Sequence, residues 1–392
     1  MKSNILTINA GSSSIKFALF SDGEPYAVLL RGKIDRIGLS GSLLEYTDQT
    51  GTSTSSEVSV PNAQAAAEVL HTFLQDHVDF DQVKAVGHRI VHGLGRANHE
   101  LVTPQLISEL KAISAIDQEH LPLEISIMET LRQSHPHLIQ VACFDTVFHH
   151  TLPRVAQLLP LPRRFEAKGV RRYGFHGLSL AYIMQKLRSG DPAGAQGRVI
   201  VLHLGSGVSI TAIKDGASID TSMGFTPTGG MVMGSRSGDL GPGALEYIMR
   251  EENLSFAELN RLVNHESGLL GVSETSSDMY DLLQIEATDV RAKEAIDLFC
   301  YEAKKHLGAY AAVLGGVDTV VFTGGMGEKA PLIRSRITDG LGFLGIIVDE
   351  ARNQAGDERI SADSSVVDVK VIPTNEELMM VQITSEMSSQ TN

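Results

Sequence analysis

Several short segments of this chain set charged or titratable side chains where apolar strands end. Val86-Gly-His88-Arg89-Ile-Val-His92-Gly93 places Arg89 within an apolar run, and Val141-Ala-Cys-Phe144-Asp145-Thr146 ends another on a carboxylate. Arg171-Arg172-Tyr173-Gly174-Phe175-His176-Gly177 holds a histidine between glycines, and Met233-Gly234-Ser235-Arg236-Ser237-Gly238-Asp239 carries an arginine on a Gly/Ser loop. Each has an ordinary reading as a capped turn or a satisfied salt bridge. Together they supply cations and donors for spread negative charge, and carboxylates for a metal and for orientation, which is what phosphoryl transfer needs.

Three turns add to that set. Ile8-Asn9-Ala10-Gly11-Ser12-Ser13-Ser14-Ile15-Lys16-Phe17 joins two apolar strands through small residues, with Lys16 on the face of Ala18 and Phe20. His203-Leu204-Gly205-Ser206-Gly207 repeats this grammar midway along the chain, and Thr323-Gly324-Gly325-Met326-Gly327-Glu328 follows a third strand. Turns without bulky side chains let backbone N–H groups approach phosphate oxygens.

Other chemistries are weaker. No G-x-x-x-x-G-K-[ST] occurs. Gly325-x-Gly327-x-x-Ala330 with Asp349 beyond it mimics a dinucleotide fingerprint, but too near the end for a complete Rossmann half to follow. His88 and His92 are four apart in a β-prone segment, which does not suit helical zinc spacing, and His149-His150 reads as a loop feature. Cys143 has apolar flanks that favour a structural thiol.

The elements that must position these groups follow an α/β pattern. Strands are expected at 4–9, 14–20, 83–91, 139–144, 198–204, 208–213, 318–323 and 366–372. Helices are expected at 63–75, 104–116, 124–133, 180–187, 244–251, 292–314 and 331–341, and surface loops at 40–59 and 189–197. At 392 residues two domains are the prior, and one strand–turn–strand unit in each half suggests a duplicated fold. A net charge of −14 argues against a nucleic-acid partner while leaving room for an anionic substrate at a few local cations. Two unpaired cysteines, no signal-peptide pattern and no apolar run of spanning length point to the cytoplasm and away from a membrane.

The ordered segments INAGSSSIKF, VGHRIVHG, CFDTVFHHTLP, RRYGFHGLS, HLGSGVS, MGFTP, VMGSRSGD, FTGGMGE and IPTNEEL, from residue 8 to 378, resemble the acetate kinase family of the acetate and sugar kinase/Hsp70/actin superfamily. The resemblance implies two duplicated ribonuclease H-like (actin-like ATPase) α/β domains with an active site in the interdomain cleft. The first would span 1–147, completed by 376–392, and the second, nucleotide-binding one 148–375. It further implies reversible transfer of the ATP γ-phosphoryl group to a short carboxylate, acetate or propionate, giving an acyl phosphate and ADP.

By match to the family motifs, Asp145, His176 and Arg236 are the catalytic set, and Arg89, Val91 and Pro227 receive the acceptor acid. Asn9 and Glu376 help hold Mg²⁺, with Mn²⁺ able to substitute. Ser12, Ser14 and Lys16, with His203, Leu204, Gly205, Ser206 and Gly207, attend the nucleotide phosphates. Asp278, Met279, Tyr280, Gly325, Met326, Gly327, Glu328 and Lys329 line the adenosine side. A homodimer is also implied.

The chain departs from the family pattern at several places. Glu124 stands where the family has a histidine, Tyr280 where it has an arginine, and Ser206 and Lys329 each where it has an asparagine. The segment Asp239-Leu240-Gly241-Pro242 replaces Asp-Ile-Asp-Pro. None of these belongs to the catalytic set.

Overall fold

The computed structural model describes residues 4–11 and 13–390. The chain divides into two compact units, Met1–Val147 with Asn375–Asn392, and Phe148–Thr374.

The first unit is built on eight strands: β1 (Asn4–Ala10), β2 (Ser14–Ser21), β3 (Val28–Asp35), β4 (Leu43–Asp48), β5 (Ser53–Glu57), β6 (Val83–Ile90), β7 (Glu100–Leu101) and β8 (Ile139–Phe144). Their order is β5-β4-β3-β2-β1-β6-β8-β7. β1, β2 and β3 pair antiparallel, whereas β1, β6 and β8 run parallel. Alternation along β1 sends Leu6, Ile8 and Ala10 into a core with residues such as Ala66, Leu70, Leu74 and Ile127. These come from the helices Ala63–His77 and Leu121–Ser134. On the opposite face Ile5, Ala18 and Phe20 meet Val381 of the final helix, Glu376–Ser389. Near strand continuity of apolar residues in β1 follows from burial on both faces. Gly87 on β6 permits that helix to lie close, because a Cβ there would fall 2.3 Å from the Thr384 hydroxyl.

The second unit holds β9 (Arg198–Leu204), β10 (Val208–Lys214), β11 (Ala217–Thr221), β12 (Thr319–Thr323) and β13 (Asp368–Val371), in the order β11-β10-β9-β12-β13. β9, β10 and β11 pair antiparallel, and β9, β12 and β13 parallel. This repeats the pattern β3-β2-β1-β6-β8 of the first unit, so the duplication expected from the turns extends to the sheet topology. The helix Val290–Leu314 packs on this sheet through Ala292, Ala295, Ile296, Phe299, Ala303, Leu307 and Ala311, at helical spacing. Asp289 caps its start by accepting from the Arg291 and Ala292 N–H groups, and Gly315 ends it at φ 72°.

The expected strands all form, with shifts at their ends. The loop expected at 40–59 is instead largely the hairpin β4–β5. Every β5 side chain is exposed, so this edge strand carries no apolar alternation to read. Its turn is closed by Asp48, whose Oδ1 accepts from the Thr50 and Thr52 N–H groups. β3 and β11 also escape the pattern, and so does the final helix, whose apolar residues do not gather on one stripe. The expected loop at 189–197 contains the end of the helix Gly177–Gly190 and a turn, Pro192–Ala195, capped by Asp191.

His88, buried on β6, bonds Gln140 of β8 at 2.8 Å, and burial pushes its imidazole down to about 4. His99 is shifted to the same value for the same reason, and its Nδ1 accepts from the Phe144 N–H. A folded-state value below the unfolded one, about 6.5, means that stability present above pH 6.5 is lost as pH falls toward 4. Each of the two imidazoles contributes up to about 1.4 kcal/mol per pH unit in that window, so unfolding free energy at pH 5 is expected about 3 kcal/mol below that at pH 6.5. Urea titrations at the two pH values test this. Equal stability at both would remove the assignment.

Candidate active site

In the first unit the candidate residues gather at the ends of adjacent strands. Asn9 lies near the end of β1, opposite Lys16 on β2. Arg89 lies on the neighbouring β6, and Asp145 directly follows β8, its N–H bonded to the Ile90 carbonyl. Glu376 opens the final helix. The topology thus brings together residues as distant in sequence as 9 and 376.

The side chains of Asn9, Arg89, Asp145 and Glu376 form one partly buried network. Arg89 Nε and Nη2 both donate to Asp145 Oδ2, at 3.0 and 2.5 Å, while Nη1 donates to Asn9 Oδ1 at 3.1 Å. Asn9 Nδ2 in turn donates to Glu376 Oε2 at 3.3 Å. Asp145 is fully buried, and its Oδ1 has no hydrogen-bond partner among the described residues. Burial alone would weaken the Arg89 charge, but the carboxylates of Asp145 and Glu376 outweigh it and hold the guanidinium protonated. Burial pushes the Glu376 carboxyl upward, further raised by Asp145 and opposed by Arg89 and Lys16.

Lys16 is exposed, although Ala18 and Phe20 farther along that face are buried. The Gly11 N–H donates to the Ser14 carbonyl at 2.7 Å and closes the turn. Ser12 lies outside the described residues. Val91 is buried just past β6, and its N–H donates to Glu124 Oε1 at 3.1 Å. Cys143 is buried on β8 with its thiol pushed up to about 12 by burial, as befits a structural thiol.

In the second unit the His203–Gly207 turn links β9 to β10, with the Gly205 N–H donating to the Gly207 carbonyl at 3.1 Å. His176 precedes the helix Gly177–Gly190 in a left-handed conformation, φ 59°. Its Nδ1 pairs with the Ser209 hydroxyl at 2.9 Å, and its ring stacks on His203 with centroids 4.2 Å apart. A Cβ on Gly207 would fall 3.0 Å from His176 Nε2 and 3.6 Å from Arg236 Nη1, so all three converge. His203 is set by Ser179, whose hydroxyl also meets that of Thr374. Arg236 Nη1 donates to the Pro227 carbonyl at 3.4 Å.

The third turn joins this cluster. Gly324, at φ 78°, presses against the Leu204–Gly205 backbone so closely that a Cβ would meet it at 2.8 Å. The segment Gly324–Lys329 is a helical turn rather than a loop. Glu328 holds it by accepting from the Gly324 and Thr374 N–H groups. Gly325 and Lys329 are exposed, and Met326 is half-buried. Gly234 abuts the Ser277 carbonyl, which places the Arg236 loop beside Asp278. Asp278 accepts from the Tyr280 N–H and caps a short helix, with Tyr280 exposed. The side chains of Leu204 and Met279 are buried.

Sequence reasoning did not assign Ser179, Ser209 or Thr374, which orient the two histidines. Ser179 lies three residues beyond His176, but Ser209 and Thr374 have no spacing signal. Asp349, the proposed acidic partner of the dinucleotide fingerprint, is spent capping the helix Glu350–Ala355. Its Oδ1 accepts from the Ala351 and Arg352 N–H groups.

Comparison with known proteins covers nearly the whole chain. Residues 4–382 match the model of the acetokinase family. The acetate kinase of Halothermothrix orenii is 40% identical, covering 98% of this chain and 99% of that protein. The crystal structure of Porphyromonas gingivalis acetate kinase superposes with a TM-score of 0.87 at 36% identity, covering 98% of this chain and 99% of the other. That of a propionate kinase from Francisella tularensis gives 0.91 at 35%, with the same coverage. The fold is therefore the duplicated actin-like ATPase fold, and the class is a phosphotransferase with a carboxylate acceptor. The chain belongs to the acetokinase family.

Proposed function

We propose that this chain is an acetate kinase, transferring the ATP γ-phosphoryl group reversibly to acetate to give acetyl phosphate and ADP. The observation that carries this reading is the Arg89–Asp145 pair: a largely buried guanidinium bound to one oxygen of a fully buried carboxylate, whose other oxygen has no partner among the described residues. A buried acceptor left empty costs about 1–3 kcal/mol, which favours a ligand that completes it.

In this reading the planar Arg89 guanidinium orients the acceptor carboxylate, and Val91 with Pro227 shelters its methyl group. A carboxylate is a weak nucleophile, so alignment with the γ-phosphorus is most of the task. His176 and Arg236 stabilise charge on the transferring group, His176 held in place by Ser209. The His203–Gly207 and Gly324–Lys329 turns, with Ser12, Ser14 and Lys16, receive the nucleotide phosphates. Asp278, Tyr280 and the exposed residues of the 325–329 turn attend the adenosine.

The oxygens of Asn9 and Glu376 suit Mg²⁺, which takes few protein ligands and completes its octahedron with water and phosphate. The unpartnered Asp145 Oδ1 is a further polar atom that a hydrated cation satisfies. Bound there, the metal supplies charge neutralisation and a template for the phosphates. No described helix is long and apolar enough to cross a membrane. A cytoplasmic homodimer completes the reading, and sedimentation equilibrium tests the stoichiometry.

A propionate kinase is the second reading, favoured by the likeness to the Francisella tularensis enzyme. One methylene changes apolar-pocket affinity by only about 1–3 kcal/mol. Hydroxylamine trapping of acyl phosphate, with acetate, propionate and butyrate against ATP, GTP and pyrophosphate, separates the readings. Absence of product with every pair would sink both.

A further inference from the structure

Glu124 occupies the first turn of the helix Leu121–Ser134, yet it is only 2% exposed. Its Oε1 accepts the Val91 N–H at 3.1 Å, while Oε2 is buried without a hydrogen-bond partner among the described residues. Burial, followed by the charge of Asp117, pushes this carboxyl well above the ordinary range, against the pull of the Val91 N–H and Arg89. Asp145 adds to the upward push, and Asp117 itself pairs with His120. A neutral carboxyl has one O–H to donate, and with Oε1 accepting the Val91 N–H the oxygen left to carry it is Oε2. The group touches Val91 directly and sits within the electrostatic reach of Arg89.

We propose that Glu124 is a specificity-determining residue at the acceptor end, donating a hydrogen bond from Oε2 to the hydroxyl oxygen of a short 2-hydroxy acid. This rests on the reading of Arg89 and Val91 as acceptor residues. The reaction is unchanged: the acid's carboxylate oxygen bonds to the γ-phosphorus while the phosphorus–bridging-oxygen bond breaks and its electron pair leaves with ADP. Nothing is oxidised or reduced. Glycolate is the smallest such acid, and it is nearly isosteric with propionate, a hydroxyl replacing a methyl group. A site with a buried donor to satisfy favours the hydroxyl, because the methyl leaves that donor unmade.

The test compares kcat/KM for glycolate, propionate and acetate in the full-length enzyme. Wild type is expected to prefer glycolate to propionate. Glu124→Leu is expected to lower the glycolate-to-propionate ratio by about 10- to 100-fold. Glu124→Gln keeps an acceptor for Val91 and a donor for the substrate, and is expected to hold the ratio within several-fold of wild type. A wild type that prefers propionate overturns the proposal, as does an unchanged ratio in Glu124→Leu. Should Glu124→Leu not fold, the wild-type preference and the Glu124→Gln ratio decide. Acetate turnover with propionate preferred to glycolate defeats this inference alone, whereas no acyl phosphate from any acid defeats the function on which it rests.

Discussion

Asp145→Asn is expected to reduce kcat by about 10³-fold or more while the protein stays folded. The amide preserves shape and can still accept from Arg89, but it removes the negative charge that the buried guanidinium faces. Arg89 then orients an incoming carboxylate differently, and the unpartnered position at Oδ1 loses its charge. Asp145→Ala goes further and leaves a buried guanidinium without its carboxylate, a loss expected to cost about 3–5 kcal/mol of stability. Steady-state kinetics of acyl phosphate formation and denaturant titration measure the two effects. A kcat for Asp145→Asn within tenfold of wild type would refute the catalytic assignment.

Arg236→Ala is expected to lower kcat by about 10²- to 10³-fold, with ATP affinity changed only a few-fold. The side chain converges with His176 on Gly207, so its charge is placed for an anion at that turn and not for the adenosine. A cation used only as charge forms in the transition state affects turnover more than ground-state binding. Arg236→Lys is expected to recover only part of the loss, since an ammonium lacks the planar fork. Isothermal titration with ATP, beside turnover measurements, separates binding from chemistry. Equal losses in affinity and in kcat would reassign Arg236 to nucleotide binding.

How legible these sites are from sequence depends on the interaction that positions each residue. Arg89 and Asp145 stand out because a charge within or at the end of an apolar run conflicts with simple burial. Lys16 is conspicuous for the same reason, and its exposure beside buried Ala18 and Phe20 accounts for the conflict. Glu124 gives no such signal from its spacing: an acid in the first turn of a helix is ordinary. Only its departure from the family pattern draws notice, and only the Val91 bond and the orphaned Oε2 give that departure a physical meaning. Met279 fails in the other direction, since a position inside a functional segment says nothing about which way its side chain turns.

The same contrast holds for the fold. The sequence alone determined the apolar strands and their small-residue turns, because alternation, burial on both faces and the absence of side chains at a turn are local properties. It also determined the family, through nine ordered segments and a match over residues 4–382. The strands β3, β5 and β11, the last two at sheet edges, form through pairing with neighbours, so a reading of their own residues does not find them. Tertiary structure alone decided that Asn9, Arg89, Asp145 and Glu376 share one partly buried network, and that Ser209 and Ser179 set the two histidines. The reason is that parallel strands bring together residues far apart in the chain, and the hydrogen bonds that fix a buried side chain depend on that proximity.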